Sequence, residues 1–158
     1  MFKSLLVPID GSDYALKALE VASQMVASEG TLYLLTVREL LPPLHEYGVM
    51  NVEAAIRAAS PETAEREGRT LLNQAVDTIA HYSGEVQTLV RMGSPARVIV
   101  NEADRLGVDA IVMGSRGLSD ISSLVVGSVS HKVNHIAKCM VISVHANPAQ
   151  TAPPDYES

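Results

Sequence analysis

Tryptophan is absent from this 158-residue chain, phenylalanine occurs once and tyrosine five times. A core without large rings must be built from Val, Leu, Ile, Ala and Met, which suits helices packed on a Val/Ile-rich sheet. A flavin carrier, which wants rings to sandwich its cofactor, is a poor match. Cys139 is the single cysteine, so no intrachain disulfide can form. That suits a reducing compartment, and the expected location is cytoplasmic. No apolar run approaches the roughly 18 residues of a membrane helix. The apolar opening MFKSLLVPID meets Asp10 too soon to serve as a signal h-region. Basic residues are also few, 12 against 18 acidic, for a formal charge of −6. The basic footprint of a nucleic-acid or anionic-membrane binder is missing, so neither partner is expected. Small anions stay open, because backbone N–H groups bind them without net positive charge.

What is present is a globular balance, 47% apolar and 19% charged. Five short apolar runs read as buried strands: 4–9, 31–37, 85–90, 110–114 and 140–144. Helical spacing lies between them. From Tyr14 to Ser28, Ala15, Leu19, Ala22 and Val26 share a face, with Gly30 as a stop. From about Ala64 to His81, Leu71, Leu72, Ala75 and Ile79 do the same. A third helix has Ser94 to cap it, Pro95 in its first turn and Gly107 at its end. A fourth runs from Ser128 to about Ala137. This alternation argues for an α/β fold with one doubly wound, open, parallel five-stranded sheet and helices on both faces. The domain spans 1–146. The tail, 147–158, holds three prolines and little to bury, and is expected to lack regular structure. Residues 38–60 form a long connection with a helical turn expected over 52–59, the length of a lid.

The most informative stretch is GSRGLSDISSLVVGSVS, 114–130. It begins where the fourth strand ends and finishes where the fourth helix begins. Gly114, Gly117 and Gly127 let an anion approach the main chain, and the helix opening at Ser128 offers unpaired N–H groups and a positive dipole end. Spacing alone leaves open an ordinary turn with Ser128 as a helix cap. No Lys follows the last glycine as in a Walker loop, and the dinucleotide fingerprint GxGxxG is absent. The GxxG of an RNA-binding KH module joins two helices, whereas this one follows a strand.

Asp10, in PIDGSD, falls just past the first strand, where ligands of open α/β sheets bind. If strands one and four are neighbours, it faces the glycine loop, and its carboxylate can accept hydrogen bonds from paired ribose hydroxyls. The alternative is that it only organises the turn into the first helix.

These residues resemble the universal stress protein family. Its phosphate signature, G-x2-G-x9-G-[ST], is matched in full by Gly114, Gly117, Gly127 and Ser128. LLVPIDGS, GSPARVIV and DAIVMGSRG are similar to further family blocks, and the resemblance covers residues 2–145. Met140 departs from it, standing where a proline often precedes the last strand. The resemblance implies strand order 3-2-1-4-5 and the ATP-binding branch, with ATP as cofactor and Mg2+ accompanying its phosphates. By the same resemblance Asp10 holds the ribose, while Pro8, Ile9, Val37 and Met113 surround the adenine, Val37 through its backbone. Gly114, Arg116, Gly117, Gly127, Ser128, Val129 and Ser130 line the phosphates. It also implies a homodimer through the last strand, Met140–Val144, an apolar edge without Pro, Lys or Glu to guard it.

His131 and His135 are four apart on the last helix, but Lys132 stands where HExxH needs Glu, so they read as solvated. A phosphorelay receiver would need an Asp after strand three, where Arg91, Met92 and Gly93 stand. The leading reading is a stress-response protein that uses an adenine nucleotide as a regulatory ligand. A slow ATPase or nucleotide-dependent phosphotransferase, and an assembly module with a usually empty site, are the alternatives.

Overall fold

In the computed structural model, residues 1–39, 60–116 and 127–145 are described. Chain order runs β1 (Phe2–Pro8), α1 (Asp13–Met25), β2 (Val26–Arg38), α2 (Pro61–Thr78), β3 (Glu85–Met92), α3 (Pro95–Leu106), β4 (Ala110–Gly114), α4 (Ser128–Ile136) and β5 (Met140–Val144). The strands form one parallel sheet in the order β3-β2-β1-β4-β5. This is the expected order, with β1 and β4 adjacent.

Side chains alternate between the two faces of each strand, so an unbroken apolar run needs cover on both. Leu5, Val7 and Ile9 of the β1 segment, with Leu32, Leu34, Ala110 and Val112, pack against α1 and α2. Leu6, Leu35, Ile111 and Met113 pack against α3 and α4. Leu5, Leu6 and Val7 are all 0% exposed, and full burial of each such side chain contributes about 1.5–3 kcal/mol before its entropy cost. β5 lies at the sheet edge with Met140 exposed and the following residues half-buried.

The end of α1 and the start of α2 differ from the sequence expectation. α1 stops at Met25, and the chain enters β2 at Val26, which pairs with Phe2. The register then shifts, so that Ser4 pairs with Thr31. Gly30 is therefore part of an irregular strand and not a helix stop; a Cβ there would meet the Lys3 carbonyl oxygen at 2.7 Å. Tyr82 secures this turn of chain, its hydroxyl donating to the Gly30 carbonyl at 2.6 Å. α2 starts earlier than Ala64, because Ser60 accepts from the Thr63 amide at 3.2 Å and Pro61 sits in the first turn. α3 has Pro95 and Gly107 as expected, Gly107 with φ +63, but the Ser94 hydroxyl makes no capping bond. The connection around 40–59, with its expected turn at 52–59, and the tail 147–158 lie outside the described residues.

Candidate functional site

β1 is the switch point of the sheet, since the chain leaves it towards β2 on one side and returns to β4 on the other. A crevice is expected there, beyond the carboxyl ends of the strands. Pro8 helps to make it. Ile9 donates its amide to the Leu35 carbonyl at 2.8 Å, on the β2 side. Main-chain groups alternate sides along a strand, so Pro8 turns towards β4, and it has no N–H to give. The β1–β4 ladder accordingly holds only Leu5↔Ala110 and Leu6↔Ile111, although β4 continues to Gly114. On the other flank β1 stays paired through Pro8↔Leu35.

Val37 is placed by the same alternation. Leu35 accepts from β1, and Arg38 accepts from Gly93 on the β3 side at 3.0 Å. Val37 therefore turns its N–H and C=O towards the side where β1 has already ended. Its side chain joins Met113 in the α3/α4 cluster. Ile9 does not join them: it is 2% exposed and buried in the opposite layer, against α1. Of the four residues expected around an adenine, Val37 and Met113 share a layer, and Ile9 can reach the crevice only through its main chain.

Asp10 follows β1 and is exposed. Its Oδ1 accepts from the Ser12 amide at 2.9 Å and from the Ser12 hydroxyl at 2.5 Å. Ser12 Oγ in turn accepts from the Ala15 amide at 3.2 Å and caps α1. Asp10 thus does organise the helix entry, and it does so at the mouth of the switch point. Gly11 supplies the tight turn between them with φ +88.

Across the crevice, Ser115 is 2% exposed and ties two elements together. Its amide donates to Val144 at 2.9 Å, and its carbonyl accepts from Gly127 at 2.6 Å. Ser115 and Gly127 are thereby held side by side, with Arg116 half-buried next to Ser115. Gly117, the second glycine of the signature, lies outside the described residues. Gly114 is close-packed for another reason than an anion: a Cβ there would meet Tyr14 Cβ at 2.7 Å and the Tyr14 carbonyl carbon at 2.9 Å. Gly127 has φ −58 and ψ 149, ordinary extended values. Neither glycine uses a left-handed backbone.

Gly127, not Ser128, is the N-cap of α4, and a glycine brings no side chain to cap the helix. The amides of Ser128, Val129 and Ser130 are left without intrahelical acceptors at the positive end of the dipole. Ser130 adds the one anomaly. Its side chain is 2% exposed, and its Oγ has no hydrogen-bond partner. Buried hydroxyls are normally satisfied, because leaving one unpaired costs about 1–3 kcal/mol. In the sequence Ser115 is one of several loop hydroxyls that could face a phosphate, and nothing local distinguishes it from the others.

The chain matches a family model described as the universal stress protein family over residues 1–145. It is similar to universal stress protein YxiE of Bacillus subtilis, 35% identical over 147 residues that cover 91% of this chain and 99% of that protein. A solved universal stress protein in complex with cAMP superposes with a TM-score of 0.66 at 26% identity, covering 92% and 99%. An Arabidopsis thaliana family member with AMP bound gives a TM-score of 0.65 over 97% of both chains. At its 21% identity that likeness concerns the fold.

Proposed function

The chain belongs to the universal stress protein family, and from that premise we propose that it binds an adenine nucleotide, ATP with its magnesium, as a regulatory ligand and not as a substrate. The observation that carries this reading is the buried, unpartnered Ser130 hydroxyl beside the uncapped first turn of α4. A phosphate oxygen supplies the acceptor that Ser130 lacks, and the amides of Ser128–Ser130 supply donors to a neighbouring oxygen. The other parts of the ligand find matching chemistry at the same switch point. Asp10 offers a carboxylate for ribose hydroxyls. The Val37 main chain offers a donor and an acceptor to an adenine edge, with Pro8 and Met113 as apolar neighbours. Gly114, Arg116, Gly117 and Gly127 border the phosphates in this reading. The similar protein solved with cAMP supports the adenine nucleotide class.

The donor set argues against rapid turnover. Phosphoryl transfer needs charge stabilisation at the γ-phosphate and a residue that positions the nucleophile. Arg116 is the one cation in the loop sequence and no Lys stands in the Walker position; backbone amides and hydroxyls hold triphosphate and transition state about equally, and uniform binding does not accelerate chemistry. Calorimetric titration with ATP, ADP and AMP, with and without magnesium, tests the reading directly. Saturable binding of ATP with hydrolysis far below the roughly 1 s⁻¹ lower end for kinases is the expected result. Faster turnover, lost on substitution of Gly127, would move the protein to the ATPase class.

A homodimer through β5 belongs to the same proposal. The strand is an apolar sheet edge with Met140 56% exposed, and an unguarded edge favours pairing with another copy. Light scattering at micromolar concentration should give twice the chain mass.

A further inference from the structure

α4 carries two histidines that neither the fold nor the nucleotide reading uses. His131 and His135 are both exposed, on a helix whose Val133 is 0% exposed in the core. Their ring centroids lie 5.2 Å apart, with the planes inclined by 30°. Side chains four apart on a helix stand one above the other, which is the spacing two imidazoles need to share one ion. A Zn2+-like ion holds each imidazole nitrogen at about 2.0–2.1 Å, which sets two rings about 5 Å apart at a tetrahedral angle. The rings already have that separation. Chelation requires the two exposed rings to reorient from this stacked arrangement so that one nitrogen of each faces a common point.

We infer that His131 and His135 form a two-imidazole chelate for a divalent transition metal, taking Cu2+ most tightly, then Ni2+ and Zn2+. Imidazole selects these ions, whereas Mg2+ and Ca2+ prefer oxygen ligands, so the site is chemically separate from any ion carried by nucleotide phosphates. Among the described residues no group of three or more His, Cys, Asp or Glu could hold a metal, so the site rests on these two imidazoles. The dipole is nearly neutral in its effect. His131 lies just behind the first turn, where the positive end opposes a cation, and His135 lies in the last turn, where the negative end favours one. Without a Glu beside His131, the site lacks the general base of a zinc protease and is a binding site only.

The test is titration of the full untagged chain with Cu2+ and Zn2+, read by electron paramagnetic resonance for copper and by competition with a chromogenic chelator for zinc. One ion per chain is expected, with two-nitrogen coupling in the copper spectrum. His131→Gln and His135→Gln should each weaken binding at least tenfold, and His81→Gln should leave it unchanged. The thermal midpoint should rise with metal in the parent and in His81→Gln, but not in the other two, because an ion that binds only the folded chain stabilises it. Equal binding by the parent and both α4 variants, or no specific binding by the parent, overturns the assignment. Circular dichroism on each variant identifies any that fails to fold, and for such a position His→Asn serves in its place.

Discussion

The amide of Gly127 donates to the carbonyl of Ser115 at 2.6 Å, and the amide of Ser115 donates to Val144 at 2.9 Å. β4, α4 and β5 are thereby joined at the mouth of the switch point. The backbone at Gly127, φ −58 and ψ 149, is open to any residue. Gly127→Val should therefore keep this backbone conformation, while in the proposed site its side chain competes with the phosphates for the space at this buried position. The expected outcome is loss of detectable ATP binding by calorimetry with a cooperative thermal transition retained. Gly127→Ala should fall between the variant and the parent.

Ser130→Ala should move stability and affinity in opposite directions. Removing a buried hydroxyl that has no partner relieves its desolvation cost, so the unliganded protein should gain about 1 kcal/mol in denaturant unfolding. With nucleotide present, the same change removes a hydrogen bond to a charged group, about 1.5–3 kcal/mol, or roughly tenfold to a hundredfold in Kd. A loss of stability without ligand would mean that the hydroxyl has a partner in the folded protein.

Pro8→Ala restores an N–H on the β4 side of β1. The ladder should lengthen past Leu6↔Ile111, and the new amide should exchange slowly in hydrogen-exchange measurements. Narrowing the gap should weaken nucleotide binding severalfold while leaving stability equal or higher. A rapidly exchanging amide at position 8 would show that the ladder ends for a different reason.

Glu102 ties α3 to the end of β3. Burial pushes its carboxyl up, but hydrogen bonds from Arg105 and Arg91, with their charges, outweigh burial and hold it below the usual glutamate range. A group depressed in the folded state stabilises the protein above its unfolded pKa, about 4.3. That contribution is lost as pH falls through the folded value. Glu102→Gln should therefore be less stable than the parent at pH 7 in urea unfolding. The difference should shrink steadily below about pH 4; a pH-independent difference would assign the effect to packing.

Much of the architecture is legible in local pattern. The runs at 110–114 and 140–144 coincide with β4 and β5, and the Pro95 and Gly107 signals bracket α3. These features are short-range: burial on both faces demands an apolar run, and helix ends demand particular residues. The end of α1 was not legible, because Val26 suits the helix face as well as it suits a strand. Only Phe2, across the sheet, decides between them. The start of α2 is local by contrast: Ser60 followed by Pro61 is a helix-opening pair.

The site divides in the same way. Sequence alone picked out the residues whose chemistry suits a phosphate and a ribose, since glycines, a helix opening and a carboxylate past a strand are local facts about the chain. It could not say why Gly114 must be glycine, because the atoms it would strike belong to Tyr14, a hundred residues earlier. Nor could it separate Ile9 from Val37 and Met113, because the layer a side chain enters depends on how the strands stack against helices. The direction of Pro8, the closure from Ser115 to Gly127 and the orphaned hydroxyl of Ser130 are likewise relations between distant segments. Tertiary structure decides these because hydrogen-bond direction and solvent exclusion exist only once β1 and β4 lie side by side.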